Sequence, residues 1–216
     1  MVYRGLLCYH STCFDRMLNG EFAEAAQDPL RLSHVNLTAF RTFFYWTNTG
    51  LVNFYHSDGT MSATLRPMRA VEAYILADYH GVLRLKNALL DYLFSEFTTN
   101  ERILSRAVCR HLYDNTVDGD AFRRMLLDVC VTNRNLKMFK KELLDDYHKE
   151  FLLNYILVLN KNGIIPGVGP SDLEAWMMDM RTNFCARYHD HSTPEAPHGA
   201  RRRVILTHLA QGSTVH

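Results

Sequence analysis

Apolar residues recur every three to four positions in segment after segment of this chain, which is the spacing of one face of an α-helix. The clearest example is a single stripe in the first half of the sequence, formed by Val82, Leu85, Leu89 and Leu93. Other stripes precede and follow it, and several of them end at an Asn-Gly or Asp-Gly pair. The spacing therefore predicts a mostly α chain of short helices joined by turns.

Polar residues indicate where some of these helices begin. A Ser or Asn side chain just before a helix accepts hydrogen bonds from the first free backbone N–H groups. Ser11 is predicted to divide the N-terminal segment into two helices in this way, and Asn36 to begin the next helix. Ser171 and Glu174 have the spacing of a capping box for a later helix.

One short segment has the pattern of a strand. Leu30-Arg31-Leu32 alternates apolar and polar side chains after an Asp-Pro pair, which is typical of a strand with one buried face. The predicted fold class is therefore mostly α (α+β), with a minimal β-sheet. A chain of 216 residues is long enough for one large domain or two small ones.

The composition excludes several classes of protein. The chain has 24 Lys or Arg and 23 Asp or Glu, and its formal net charge of +1 excludes nucleic-acid binding driven by net charge. The longest apolar stretches fall short of the roughly 20 residues that a membrane helix needs, so no membrane partner is expected. The five cysteines form no tight even framework, which favours the reducing cytoplasm or nucleus.

Four stretches resemble the BTB/POZ domain family, and more narrowly its fungal members with a helical C-terminal extension. The stretches are GLLCYHSTCFDRMLNGEF, LRLSHVNLTAFRTFFYWTNTGLV, AYILADYHGVLRLKNALLDYLF and HLYDNTVDGDAFRRMLLDVC. The third is the most specific, because Leu76-Ala77-Asp78 and Leu85-Lys86-Asn87-Ala88 occur in that order in the family. The later Cys…Tyr-His-x-His segment from Cys185 to His191 also resembles the fungal group.

The resemblance implies a domain organisation. Residues 1–97 are expected to form a BTB/POZ-like helical core, residues 98–191 a helical C-terminal extension, and residues 192–216 a flexible tail. The strand hairpin with which the family normally begins has no counterpart before Tyr3. We expect the reading frame to be truncated there, and the alternative is that another segment or a partner chain covers the edge of the predicted strand.

The resemblance also implies a function. BTB domains are non-enzymatic modules that associate with themselves or with one another, and many connect substrates to cullin-type ubiquitin ligases. The expected partners are therefore a second copy, another BTB protein or a cullin. The residues expected to contact the partner are Tyr79, His80, Val82, Leu83 and Arg84.

Metal binding is the alternative function. A cysteine thiolate and two imidazoles are ligands that zinc prefers. Cys185 and His189 are one helical turn apart, and His191 can fold back past the end of a helix. A regulatory protein that binds a metal through these three residues is therefore the second hypothesis, with a fourth ligand or a water still required.

Catalytic motifs are missing from the sequence: it has no nucleophile elbow, phosphate loop or metalloprotease helix, so we expect neither an enzyme nor a cofactor. Arg123 and Arg124 are predicted to lie on the solvated face of a helix. The stripe of Trp176, Met177 and Met180 is predicted to pack against the helix from Leu144 to Leu159, with a groove for a partner helix as the alternative.

Overall fold

The computed structural model describes residues 2–20, 35–54, 66–100, 104–132, 141–166, 168–192 and 203–204. These residues are mostly helical, which confirms the predicted class. The α-helices are α1 (Arg4–His10), α2 (Thr12–Asn19), α3 (Leu37–Thr49), α4 (Arg66–Tyr79), α5 (Leu83–Asn100), α6 (Arg106–Asp114), α7 (Ala121–Cys130), α8 (Lys149–Lys161), α9 (Leu173–Thr182) and α10 (Phe184–Tyr188). A 3₁₀ helix, Lys141–Asp146, precedes α8.

Strands are scarce in the part of the chain that the structure describes. Two residues at each end, β1 (Val2–Tyr3) and β2 (Arg203–Val204), pair antiparallel with Val2 opposite Val204. The predicted strand Leu30–Leu32 lies outside the described residues. No described helix is both long enough and apolar enough to cross a membrane.

Two of the predicted helix starts are confirmed. The Ser11 hydroxyl separates α1 from α2 and accepts a hydrogen bond of 3.0 Å from the Phe14 N–H. The Asn36 side chain accepts hydrogen bonds from the first backbone N–H groups of α3, at 2.8 and 3.2 Å. Gly50 then ends α3 in the left-handed conformation, with φ at 73°, which a residue without Cβ adopts at little cost.

The predicted capping box at Ser171 is wrong by one residue. Asp172 is the residue before α9, and its carboxylate accepts a hydrogen bond of 2.8 Å from the Ala175 N–H. An ionised carboxylate forms a stronger hydrogen bond than a hydroxyl and is favoured by the positive end of the helix dipole. Of two adjacent residues that can both cap a helix, the charged one therefore begins α9.

The core is continuous across the predicted boundary at residue 97. Helix α4 packs against α3 and α5, and it also contacts α6 in the second half of the chain. One apolar cluster contains side chains from both halves, among them Phe14, Leu89, Phe122 and Phe151. Helix α7 packs against α5, α8 and α10, so it connects the C-terminal helices to the N-terminal ones.

A buried carboxylate strengthens this connection. The Tyr74 hydroxyl of α4 donates to the Asp120 carboxylate at 3.0 Å, and Asp120 also caps α7 by accepting from the Phe122 N–H at 2.8 Å. Lys86 of α5 lies with its ammonium 3.8 Å from the same carboxylate. Burial, and then the charge of Asp120, raise the pKa of Tyr74, so this hydroxyl stays protonated and remains a donor. Helices α4, α5 and α7 are thus held together at one point.

The prediction for Arg123 is wrong, since this side chain is only 3% exposed whereas its neighbour Arg124 is exposed. The Arg123 guanidinium donates to the Tyr113 carbonyl at 2.7 Å and to the Thr116 hydroxyl at 2.8 Å. Its Nη1 lies 2.9 Å from a Glu150 carboxylate oxygen of α8. A cation is retained in the interior here because oxygens at the end of α6 accept from it and a carboxylate of α8 lies beside it as a counter-ion.

The apolar stripe of α9 faces the core, as expected of a packed helix. Met180 is buried, and Trp176 and Met177 are partly buried against the core cluster. The Trp176 indole N–H donates to the Asp128 carbonyl of α7 at 3.3 Å. The hydrogen-bond partner of the indole therefore lies on α7, whereas the sequence predicted packing against the helix from Leu144 to Leu159.

Candidate functional site

The five residues predicted to contact a partner lie at the end of α4 and the start of α5. Tyr79 is 79% exposed, Arg84 is exposed and Leu83 is partly buried. The side chains of His80 and Val82 are buried, at 4% and 0% exposure. A partner that docks on this turn would therefore touch Tyr79, Leu83 and Arg84, and the inclusion of the other two side chains in the contact surface is corrected.

His80 belongs to the core beneath the turn. Its ring stacks on the Phe14 ring, with centroids 4.5 Å apart and planes 9° apart, and its carbonyl accepts from the Ser11 hydroxyl. Burial lowers the pKa of His80 to about 4. The Val82 N–H donates to the Ala77 carbonyl at 2.7 Å and closes the turn around Gly81. These two residues fix the position of Tyr79 and Leu83.

Tyr9 is a surface residue that the sequence did not single out. It is 56% exposed at the end of α1, and Arg84 donates to its hydroxyl at 3.3 Å. The Arg84 guanidinium also lies 5.6 Å from the centre of the Tyr9 ring, within the range of a cation–π interaction. The helical spacing does hold a signal for Tyr9. Leu7 and Cys8 are buried on one face of α1, and the next position along the helix lies outside that face.

Helix α8 carries a second exposed surface that the sequence prediction missed. Leu153, Ile156 and Leu157 are each more than half exposed, at spacings of three and one along the helix. The opposite face, with Phe151 and Tyr155, is buried. The sequence signal that could have identified this surface is a helix that is apolar on both faces. Exposed apolar faces of this kind are typical of surfaces that contact other proteins.

The structure brings the three predicted metal ligands together. Cys185 lies on α10, His189 directly follows that helix, and His191 turns back beside them. The Cys185 sulfur is 3.0 Å from the His191 Nε2, and one ligand atom from each of the three residues lies within 4.8 Å of the others. Cys185 and His191 are exposed and His189 is partly buried, so the group is accessible from solvent.

Helix α5 holds this segment in place. Phe184 of α10 packs on Phe94 of α5, with ring centroids 4.5 Å apart. The His189 Nε2 lies 3.0 Å from an Asp91 carboxylate oxygen. The Asn87 side chain exchanges two hydrogen bonds with the Asp190 backbone, accepting from its N–H at 3.0 Å and donating to its carbonyl at 2.8 Å. Aromatic packing, a carboxylate and an amide from one helix thus fix both ends of the short segment.

The residue between the two histidines is itself fixed by a local turn. The Asp190 carboxylate accepts from the Ser192 N–H at 2.9 Å and from its hydroxyl at 2.6 Å, and these bonds lower the pKa of Asp190. An open cleft of about 350 Å³ borders the segment, and Lys86 and Arg124 also line it. The cluster can therefore be reached by a small ion without any movement of α5 or α7.

No protein-family model, curated protein or solved structure matches this chain. The similarity to the BTB/POZ family therefore remains a prediction that depends on the four sequence stretches. The two accessible groups of side chains, at the α4–α5 turn and after α10, are the features from which a function can be inferred.

Proposed function

We propose that this protein is a non-enzymatic interaction module that binds a partner protein through the exposed surface formed by Tyr9, Tyr79, Leu83 and Arg84, here named the Tyr79 surface. One observation carries the proposal: Tyr79 is 79% exposed, and Arg84, five residues further along the same turn, is held by a hydrogen bond to Tyr9. Tyrosine and arginine are among the residues that contribute most to binding free energy at protein interfaces.

The turn beneath the Tyr79 surface supports a binding role. The stacking of His80 on Phe14 and the hydrogen bond from the Val82 N–H to the Ala77 carbonyl hold the backbone on either side of Gly81. Binding then requires little further ordering of the backbone, and the entropic cost of association is reduced. The exposed apolar face of α8 is a second feature that suits an interaction protein.

A cullin-type scaffold is the partner that we propose, with a second copy or another BTB protein as the alternatives that the family resemblance also implies. The surface of the partner is expected to offer an apolar pocket for the Tyr79 ring and a carboxylate for Arg84, because a guanidinium pairs well with planar anions. We place this interaction in the cytoplasm or nucleus. All five cysteines are free thiols, which suits a reducing compartment.

Binding of the purified full chain to a purified cullin-type scaffold, measured by calorimetry, tests this proposal. Tyr79→Ala and Leu83→Ala are expected to weaken the affinity, with the loss of Tyr79 costing about 2 kcal/mol or roughly 30-fold in Kd. Tyr45→Ala is the matched control, because Tyr45 is also an exposed tyrosine but lies on α3.

The proposal fails if the scaffold does not bind, or if Tyr79→Ala binds as tightly as Tyr45→Ala. Arg84→Lys adds a second readout, since lysine keeps the charge but loses the planar donor geometry. We expect Arg84→Lys to bind the scaffold more weakly than the parent chain does, with a larger loss of affinity than in the Tyr45→Ala control.

A further inference from the structure

We propose that Cys185, His189 and His191 bind one Zn²⁺ ion and that Asp91 is a positioning residue for His189. The site is separate from the Tyr79 surface: Asp91 lies eight residues after Leu83 on α5, a rise of about 12 Å along the helix. The zinc proposal therefore stands or falls independently of the proposed partner.

The ligand atoms have a spacing that suits zinc. Zn–S bonds of about 2.3 Å and Zn–N bonds of about 2.0–2.1 Å in a tetrahedral site place neighbouring ligand atoms roughly 3.3–3.6 Å apart. Here the Cys185 sulfur and the His191 Nε2 are 3.0 Å apart, and all three ligand atoms lie within 4.8 Å of one another. Side-chain rotations that bring one ring nitrogen of His189 towards the other two atoms would place all three at bonding distance from one ion.

The chemistry of the donors favours zinc over the hard cations. Thiolate and imidazole are preferred by Zn²⁺, whereas Mg²⁺ and Ca²⁺ are bound by oxygen ligands. Each of the three groups offers a lone pair once its proton is displaced, including the Cys185 sulfur and the His191 Nε2, which are close enough to share a hydrogen bond when no ion is bound. With three protein ligands, a fourth position remains for water or for a ligand from outside the chain.

Asp91 gives His189 the arrangement that is common among metal-bound histidines. Its carboxylate oxygen lies 3.0 Å from the His189 Nε2, so this nitrogen carries the proton and donates it in a hydrogen bond. The other ring nitrogen, Nδ1, is then the lone-pair donor to the metal. Because Asp91 belongs to α5 while the three ligands belong to α10 and the segment after it, bound zinc would fasten this segment to α5 through Asp91.

A zinc titration of the tag-free full chain tests the site, with a chromogenic chelator as competitor. We expect one Zn²⁺ per chain, with an affinity that decreases as the pH falls, because the ligands must lose their protons to bind. Substitution by Co²⁺ should give a thiolate-to-cobalt charge-transfer band and the intense visible bands of a tetrahedral ion. Binding well below one ion per chain, or a cobalt spectrum without the thiolate band, would overturn the proposal.

Variants identify the ligands. Cys185→Ser, His189→Ala and His191→Ala should each weaken zinc binding more than about 100-fold, beyond the effect of outer-shell changes. His111→Ala is the control, because His111 is a partly exposed histidine on α6, outside the cluster. Circular dichroism of each variant establishes that it is folded, which is expected since two of the three side chains are exposed. Zinc affinity equal to the control in any of the three variants would remove that residue from the site.

The role of Asp91 has its own readout. Asp91→Ala should weaken zinc binding about 10–100-fold while leaving the thiolate-to-cobalt band in place, since the three ligands remain. Asp91→Asn retains an acceptor and should recover part of the affinity. Glu96→Ala removes a carboxylate elsewhere on α5 and should leave the affinity unchanged. Equal affinities in Asp91→Ala and Glu96→Ala would contradict the positioning role.

Discussion

Two polar clusters in the second half of the chain show different kinds of arrangement. Around Arg123, a donor meets acceptors: the guanidinium donates to carbonyl and hydroxyl oxygens and pairs with Glu150. Around His189, three side chains that each offer a lone pair converge on one another. The first arrangement stabilises the fold by itself, whereas the second places three metal-ligating groups where one cation can bind all of them. We therefore interpret the first cluster as structural and the second as the candidate metal site.

The largest effect is expected where the complementary cluster is broken. Arg123→Ala leaves the carbonyl groups at the end of α6 without their donor and the Glu150 carboxylate without its counter-ion, and we expect a loss of about 3 kcal/mol in the free energy of unfolding. Urea denaturation measures this difference. Arg124→Ala, in the exposed neighbour, is the control and should change the stability by less than about 0.5 kcal/mol. Similar values for the two variants would contradict the buried role of Arg123.

The next effect tests the convergent cluster as a binding site. Zn²⁺ at a concentration about 100 times its Kd should raise the free energy of unfolding by about 2.7 kcal/mol, because the folded chain alone holds the three ligands together. Thermal or urea denaturation with and without zinc gives this number. Cys185→Ser should show no stabilisation under the same conditions, and stabilisation of both chains would mean that zinc binds elsewhere.

A histidine enclosed by the core provides the contrast with His189. His80 has its pKa lowered to about 4 by burial, against about 6.5 in an unfolded chain. Between these two values the unfolded state takes up a proton that the folded state does not, so the free energy of unfolding falls as the pH falls from about 6.5 towards 4. At pH 5, His80 lowers the free energy of unfolding by about 2 kcal/mol relative to neutral pH, since each pKa unit corresponds to about 1.4 kcal/mol.

His80→Gln isolates that contribution. Urea denaturation of both chains at pH 7.5 and pH 5 gives the difference in pH dependence, which should shrink by about 2 kcal/mol in the variant. The remaining dependence belongs to other titrating groups and is common to both chains. An unchanged pH dependence in His80→Gln would mean that the ring takes up a proton as easily in the folded state as in the unfolded one.

The smallest effect concerns the support of the convergent cluster. Asn87→Ala removes two hydrogen bonds to the Asp190 backbone at a partly exposed position, and we expect a loss of about 1 kcal/mol or less in stability. The zinc affinity should fall as well, because the segment that carries His189 and His191 is then less ordered before binding. Normal zinc affinity in this variant would show that α5 does not preorganise the ligands.

The features that could be predicted from the sequence are local ones. Ser11 and Asn36 begin their helices as predicted, because a cap forms within three residues of chain. The cap of α9 is also local, but the sequence prediction chose Ser171 instead of Asp172, because both residues can cap a helix. The approach of Cys185 and His189 follows from the helical turn between them.

Contacts that join distant parts of the chain could not be predicted from the sequence patterns. Arg123 is buried because its acceptors come from the end of α6 and from α8, and an arginine pair on a helix has the same pattern whether or not such acceptors exist. Asp91 is separated from His189 by 98 residues, so no spacing rule relates them. His80 lies beneath its turn because Phe14 of α2 packs on it.

The pairing of Asn87 with position 190 has a consequence for how this chain can vary. Asn87 forms its two hydrogen bonds with the backbone N–H and carbonyl of Asp190, and every amino acid except proline supplies both groups. Docking of the histidine segment on α5 through Asn87 therefore uses only main-chain groups of residue 190, whereas the Asp190 carboxylate serves the local turn with Ser192. An amide is thus required at position 87 for docking and a short acceptor side chain at position 190 for the turn, so we expect related sequences to keep asparagine at the first position and to allow at the second only residues such as aspartate, asparagine or serine.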